Sequence, residues 1–240
     1  MGERRPTTRT TKHLLAAVGA VCLVALSAGA ARADEVHLAG STTGTFTDAT
    51  STNTGSTLMG LTYINSTFDA TTSGGNYTLN GPPAPPASGT NFNNLGSFYL
   101  AAPAPNTLDN YNGATFTLRI TFTAPAGITG GQAQTFTATL VGHVVNIPSL
   151  QSYSINVDFD NTPQVFSYTL ADGSTGTFTL TVNDVNGITP NFAQAITGTI
   201  TNASQTTAVT ATPEPAALAL LGTGLAGALG ESRRRRRRAG

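Results

Sequence analysis

Hydrophobic and polar residues alternate one by one through much of the middle of the chain. In TFTLRITFT, Thr115, Thr117, Thr121 and Thr123 share one parity with Arg119, while Phe116, Leu118, Ile120 and Phe122 share the other. Successive side chains of an extended strand point to opposite faces, so this segment predicts a strand with one buried and one wet face. QTFTATLV sets Thr135, Thr137 and Thr139 against Phe136, Ala138 and Leu140, and TFTLTV sets Thr177, Thr179 and Thr181 against Phe178, Leu180 and Val182. By the same rule YSINVDFD buries Ile155, Val157 and Phe159, QVFSYTL buries Phe166, Tyr168 and Leu170, and AITGTIT aligns Ile196 with Ile200. No segment of the middle carries a convincing 3.6-residue period.

Between these runs lie residues suited to chain reversal: Asn112-Gly113, Asp172-Gly173, Asn186-Gly187 and the APAG that starts at Ala124. Many short alternating strands punctuated in this way predict an all-β fold, an antiparallel β-sandwich of jelly-roll or immunoglobulin-like type. The FTL-like runs begin at Phe116, Phe136 and Phe178 with no fixed spacing, which argues against a solenoid. In the front half, LMGLTYI and NYTL predict edge strands and NFNNLGSFYL a further strand, separated by a stiff Pro-rich loop at residues 81–89. The expected organisation is a leader at 1–33, a single β domain at 34–201, a flexible stalk at 202–212 and a distinct C-terminal segment at 213–238.

Charge separates the ends from the middle. Between Asp34 and Thr212 there are nine acids against one base, Arg119, a balance of −8 that rules against a nucleic-acid partner. At the N-terminus, Arg4, Arg5, Arg9 and Lys12 precede an apolar run at 14–28 and then Ala31-Arg32-Ala33. Basic residues, a short apolar helix and small residues at −3 and −1 predict a signal peptide, cut by signal peptidase between Ala33 and Asp34 after passage into the translocon. Pro6 after Arg4-Arg5 speaks against a twin-arginine signal, and Val21 before Cys22 against lipidation. Cleavage removes Cys22, leaving a secreted chain without thiol or disulfide chemistry.

The C-terminus ends in PEPAALALLGTGLAGALGESRRRRRR. As a helix, the fifteen small and apolar residues 216–230 rise ~22 Å, short of the ~30 Å bilayer core. Arg233, Arg234, Arg235, Arg236, Arg237 and Arg238 would hold that end in the cytoplasm and retain the helix transiently in the inner membrane. Pro213, Glu214 and Pro215 oppose helix and stay extended beside it. This tail resembles the PEP-CTERM protein-sorting signal: a Pro-Glu-Pro motif, a short hydrophobic helix and a basic end. The resemblance covers about the last 28 residues, and Thr212 stands where valine commonly precedes the motif. It implies recognition by an exosortase, a membrane-embedded transpeptidase-like enzyme that cleaves near the motif and passes the protein towards the cell surface. Such systems accompany exopolysaccharide production, which makes exopolysaccharide a candidate partner. The same signal circulates under an ice-binding label that says nothing about the passenger.

Candidate chemistry in the passenger is sparse. Asp158 and Asp160 are two residues apart, so both carboxylates leave one strand face beside Asn161; calcium favours such oxygens, and residues 183–187 could add more. Against this stands a simple charged strand end, and the sequence does not match the usual calcium loop. The same aspartates could serve a glycoside hydrolase only if burial raised one pKa. His143 lacks a nucleophile-elbow partner, and no cofactor motif is present. Tyr63, Tyr77 and Tyr99 could stack on sugar rings in a carbohydrate-binding module, although no tryptophan is present. Threonine faces could order ice, but without a fixed-period solenoid the simpler reading is that threonine suits strands. The expectation is a non-enzymatic, exported protein with a structural or adhesive role at the cell surface.

Overall fold

Threonine, valine, isoleucine and aromatic residues suit a pleated, half-buried surface, and the chain forms strands wherever they alternate. The structure is a computed structural model that describes residues 32–50, 54–84, 89–147 and 150–208. In chain order the strands are β1 (Arg32–Ala33), β2 (His37–Thr47), β3 (Thr54–Gly55), β4 (Thr57–Leu58), β5 (Leu61–Ile64) and β6 (Ser66–Thr71). Then come β7 (Tyr77–Leu79), β8 (Asn91–Phe92), β9 (Ser97–Leu100), β10 (Leu108–Asn110), β11 (Thr115–Ala124) and β12 (Ala133–Ile147). The last six are β13 (Leu150–Phe159), β14 (Gln164–Thr169), β15 (Thr175–Val182), β16 (Val185–Ile188), β17 (Ala193–Ala195) and β18 (Gly198–Thr206). No helix occurs among the described residues; both terminal helices expected from the sequence lie outside them.

Three sheets form. The largest runs β16-β13-β12-β11-β2-β6-β8, with β10 on β12 and β3 on β2; a second runs β1-β18-β15-β14 with β7 on β18; a third runs β17-β9-β5-β4. Pairing is antiparallel except between β6 and β8. The register sets threonine beside threonine on the outer face of the large sheet: Thr117 faces Thr45 and Thr137, and Thr115 faces Thr47 and Thr139. Opposite them, Phe116, Leu118, Ile120 and Phe122 are fully buried, as the alternation predicts.

Ring contacts join the sheets. Phe122 of β11 meets Phe166 and Phe178 of the second sheet at 5.7 and 5.4 Å between centroids. Phe116 of β11 meets Phe98 and Tyr63 of the third at 4.9 and 5.1 Å. Offset and edge-on pairs of this kind are favourable beyond the area they bury. The large sheet thus packs against both smaller ones around one hydrophobic cluster.

Three expectations are corrected. Asn186-Gly187 does not reverse the chain; it lies inside β16, where Gly187 takes φ +73° beside a register shift against β13, because an extra residue there needs a left-handed backbone. The stalk does not begin at Asn202: β18 continues to Thr206, its residues 204–206 paired with β15. NFNNLGSFYL is two strands, β8 and β9, divided where Asn93 and Gly96 adopt positive φ. The start of the Pro-rich loop, residues 81–84, is tied to the domain by side chains of residues 91 and 94. Asn94 donates to the carbonyls of Gly81 and Pro82, and Ala84 N donates to Asn91 Oδ1.

Candidate functional site

The acidic stretch disperses. Asp158 is exposed on β13, opposite Thr139 of β12. Asp160 lies one residue past the strand and takes hydrogen bonds from Thr162, whose hydroxyl and backbone N–H hold its pKa below the usual carboxylate range. Residues 183–187 do come alongside, but they deliver one carboxylate into a structural role. Asp184 Oδ1 accepts from Phe159 N at 2.9 Å and, with the Asn161 amide turned so that its nitrogen faces the carboxylate, from that nitrogen at 2.8 Å. Among the described residues no three His, Cys, Asp or Glu side chains gather in metal-ligating geometry.

The histidines and tyrosines are also spread apart. His37 Nε2 lies 2.8 Å from Asp69 Oδ1 on the surface. His143 is exposed on β12, opposite Asn110 and Ser154, and its side chain makes no hydrogen bond to either. Tyr63 is buried, its single O–H proton shared between Thr42 Oγ1 at 2.6 Å and Leu95 O at 3.0 Å; burial raises its pKa well above that of free tyrosine. A buried ring cannot meet a sugar face, so Tyr63 takes no part in the tyrosine platform considered as an alternative. Tyr77 and Tyr99 are half-buried on different sheets.

Of the processing residues, Ala31, Pro213, Glu214, Pro215 and the six arginines lie outside the described residues. Ala33 pairs with Gln205 in the short β1·β18 ladder. The Asp34 carbonyl accepts from Gly75 N at 2.9 Å and from Thr72 Oγ1 at 2.7 Å. The start of the expected secreted domain and its last strand therefore lie side by side. They border a polar hollow of about 420 Å³ lined by Asp34, Gly75, Asn76, Asn202 and Ser204 among others.

A second hollow has a different character. It is an open groove of about 420 Å³ lined by Ala102, Pro103, Asn146, Thr189, Pro190, Asn191 and Phe192, without a charged side chain. The segment 189–192 is built rather than loose. Asn191 takes φ +64° and donates its N–H to Leu100 O at 2.8 Å, Pro190 bridges to Leu100, and β17 begins at the next residue. Phe192 is thereby held outward, 70% exposed. Across the groove, Asn146 Nδ2 donates to Pro103 O at 2.9 Å, which leaves its Oδ1 as an acceptor. Thr189 and Asn191 make no side-chain hydrogen bond among the described residues. Sequence reasoning passed over this place because ITPNF lies outside any alternating run. Its one signal is an aromatic immediately after a Pro-Asn turn.

No curated protein and no solved structure matches the chain significantly. A protein-family comparison finds the PEP-CTERM protein-sorting motif at residues 211–238. That span contains Pro213, Glu214 and Pro215, the short apolar run and all six arginines. The C-terminal segment of this chain is a PEP-CTERM sorting signal, the mark of an exported protein processed by an exosortase.

Proposed function

We propose that the protein is a non-enzymatic structural or adhesive component of the cell-surface layer. On this reading it is delivered by signal peptidase at its N-terminus and by an exosortase at its C-terminus. The sorting motif at 211–238 is the observation that carries this reading. The β domain, which we infer to be a two-layer sandwich with the large sheet facing the two smaller ones, supports it as a compact passenger. The acidic middle and the absence of any lysine after Lys12 fit a solvated extracellular surface. Exopolysaccharide is the partner consistent with such a destination.

The tail makes the route testable. A helix of ~22 Å is a poor permanent anchor in a ~30 Å core, while six arginines prevent it from slipping through. The membrane stage is therefore transient, with Pro213-Glu214-Pro215 presented at the membrane surface. Mass spectrometry of the extracellular fraction from the native host should find a mature form lacking residues 216–240. Glu214→Gln should accumulate as an uncleaved inner-membrane species. Full-length, arginine-bearing protein as the dominant surface species would overturn the reading.

A further inference from the structure

We propose that the groove between residues 102–103, Asn146 and 189–192 is a binding site for a neutral glycan, with Phe192 as its stacking platform. The proposal goes beyond the surface role above and does not depend on the sorting route. Three features choose the ligand class. The first is the aromatic ring: Phe192 is 70% exposed on a turn fixed at Leu100, so its face is available without a conformational change. Large aromatics normally contribute by being covered, and the apolar C–H face of a pyranose is a chemically suitable cover.

The second feature is the set of polar groups around the ring. Asn146 offers Oδ1, while Thr189 and Asn191 offer a hydroxyl and an amide that no described residue engages. Sugar hydroxyls donate and accept at once, so they match such a mixture. Part of the backbone around the groove is by contrast already paired: Asn191 N to Leu100 O, Asn146 N to Thr107 O, Asn106 N to Asn146 O and Phe192 N to Thr189 O. These bonds occupy backbone groups that an extended peptide would need for its own N–H and C=O groups. The third feature is charge. No lining residue is ionised, and the domain carries −8 between Asp34 and Thr212, which repels acidic polymers and leaves neutral ones unopposed.

The test uses purified full-length protein in a detergent without a sugar head group. Affinity electrophoresis and calorimetry would compare neutral probes (hydroxyethyl cellulose, glucomannan, xyloglucan, dextran) with acidic ones (alginate, polygalacturonate) and with an immobilised apolar peptide library. At least one neutral glycan should be retained and the acidic ones should not. Phe192→Ala should weaken that binding about tenfold, Phe192→Trp should keep or strengthen it, and Thr189→Val should weaken it less. Val165→Ala, equally exposed on β14, should change nothing. Failure of every neutral probe, unchanged binding by Phe192→Ala, preference for the acidic polymers, or binding of peptides alone would each overturn the proposal. None of these results bears on whether an exosortase cuts the tail.

Discussion

Phe116 touches rings on every side: Phe46 at 4.9 Å, Phe98 at 4.9 Å, Tyr63 at 5.1 Å and Phe159 at 6.2 Å between centroids. Phe116→Ala should therefore cost roughly 3–5 kcal/mol, since the ring network cannot collapse into the space left behind. Thr117→Ser, on the wet face, should cost little; chemical denaturation measures both. Gly44 is the counterpart of Phe116. It sits on the inner face of β2, and a Cβ added there would run into the rings of Phe116 and Tyr63. Gly44→Ala should be destabilising by about 1–3 kcal/mol through overpacking. An alanine that left stability unchanged would show that the rings can yield. That glycine is small because its neighbours are large, a reason found nowhere in β2 itself.

At the scale of elements, β2 and β13 teach different things. The alternation in β11, β12, β13 and β15 marks their buried parity directly, and the structure buries those residues. β2 is the direct neighbour of β11, yet its sequence HLAGSTTGTFT places Gly40, Thr42 and Gly44 on the buried face. Its hydrophobic pattern is weak because side chains of other strands fill the space above it. Thr42 is buried as an acceptor for the Tyr63 hydroxyl and for Ser66 N. At the far end of β13, Asp184 acts as a strand fastener through Phe159 N and Asn161. Asp184→Ala should strand that backbone donor and cost about 1–3 kcal/mol. Because this carboxylate is engaged by protein donors, the thermal midpoint of the wild type should not move between calcium and chelator. A rise of several degrees with calcium would restore the metal reading for Asp158 and Asp160.

For the whole molecule, buried tyrosines set the alkaline limit. Burial raises the pKa of Tyr63, Tyr111 and Tyr168; the hydrogen bond with Thr42 offsets this in part at Tyr63, and the Asp109 charge adds to it at Tyr111. A folded-state pKa above the unfolded one means that the unfolded chain sheds its protons first. The stability associated with the neutral phenols is thus complete below pH ~10 and is lost as pH rises beyond it. For Tyr63 alone the loss approaches 1.4 kcal/mol per pH unit. Thermal melts from pH 8 to 11.5 should fall steeply above pH ~10, with phenolate absorbance appearing together with unfolding. Tyr63→Phe should be less stable at pH 8, having lost its bonds to Thr42 and Leu95, but should decline more gently. Free titration of these phenols in the folded protein would contradict the burial.

The sequence by itself determined the all-β class, the buried parity of the long strands and the sorting signal at the C-terminus. These are local properties: period-two alternation needs only neighbouring residues, and the tail is read as a linear segment by cellular machinery. Only the tertiary structure decided that β2 belongs at the heart of the large sheet, that Tyr63 is core rather than platform, and that Asp184 fastens a strand. It alone brought 102–103, Asn146 and 189–192 together around Phe192. Each of these depends on what residues distant in sequence place opposite the segment. Whether a side chain is buried, paired or left facing water is a property of that meeting, and no single stretch of the chain encodes it.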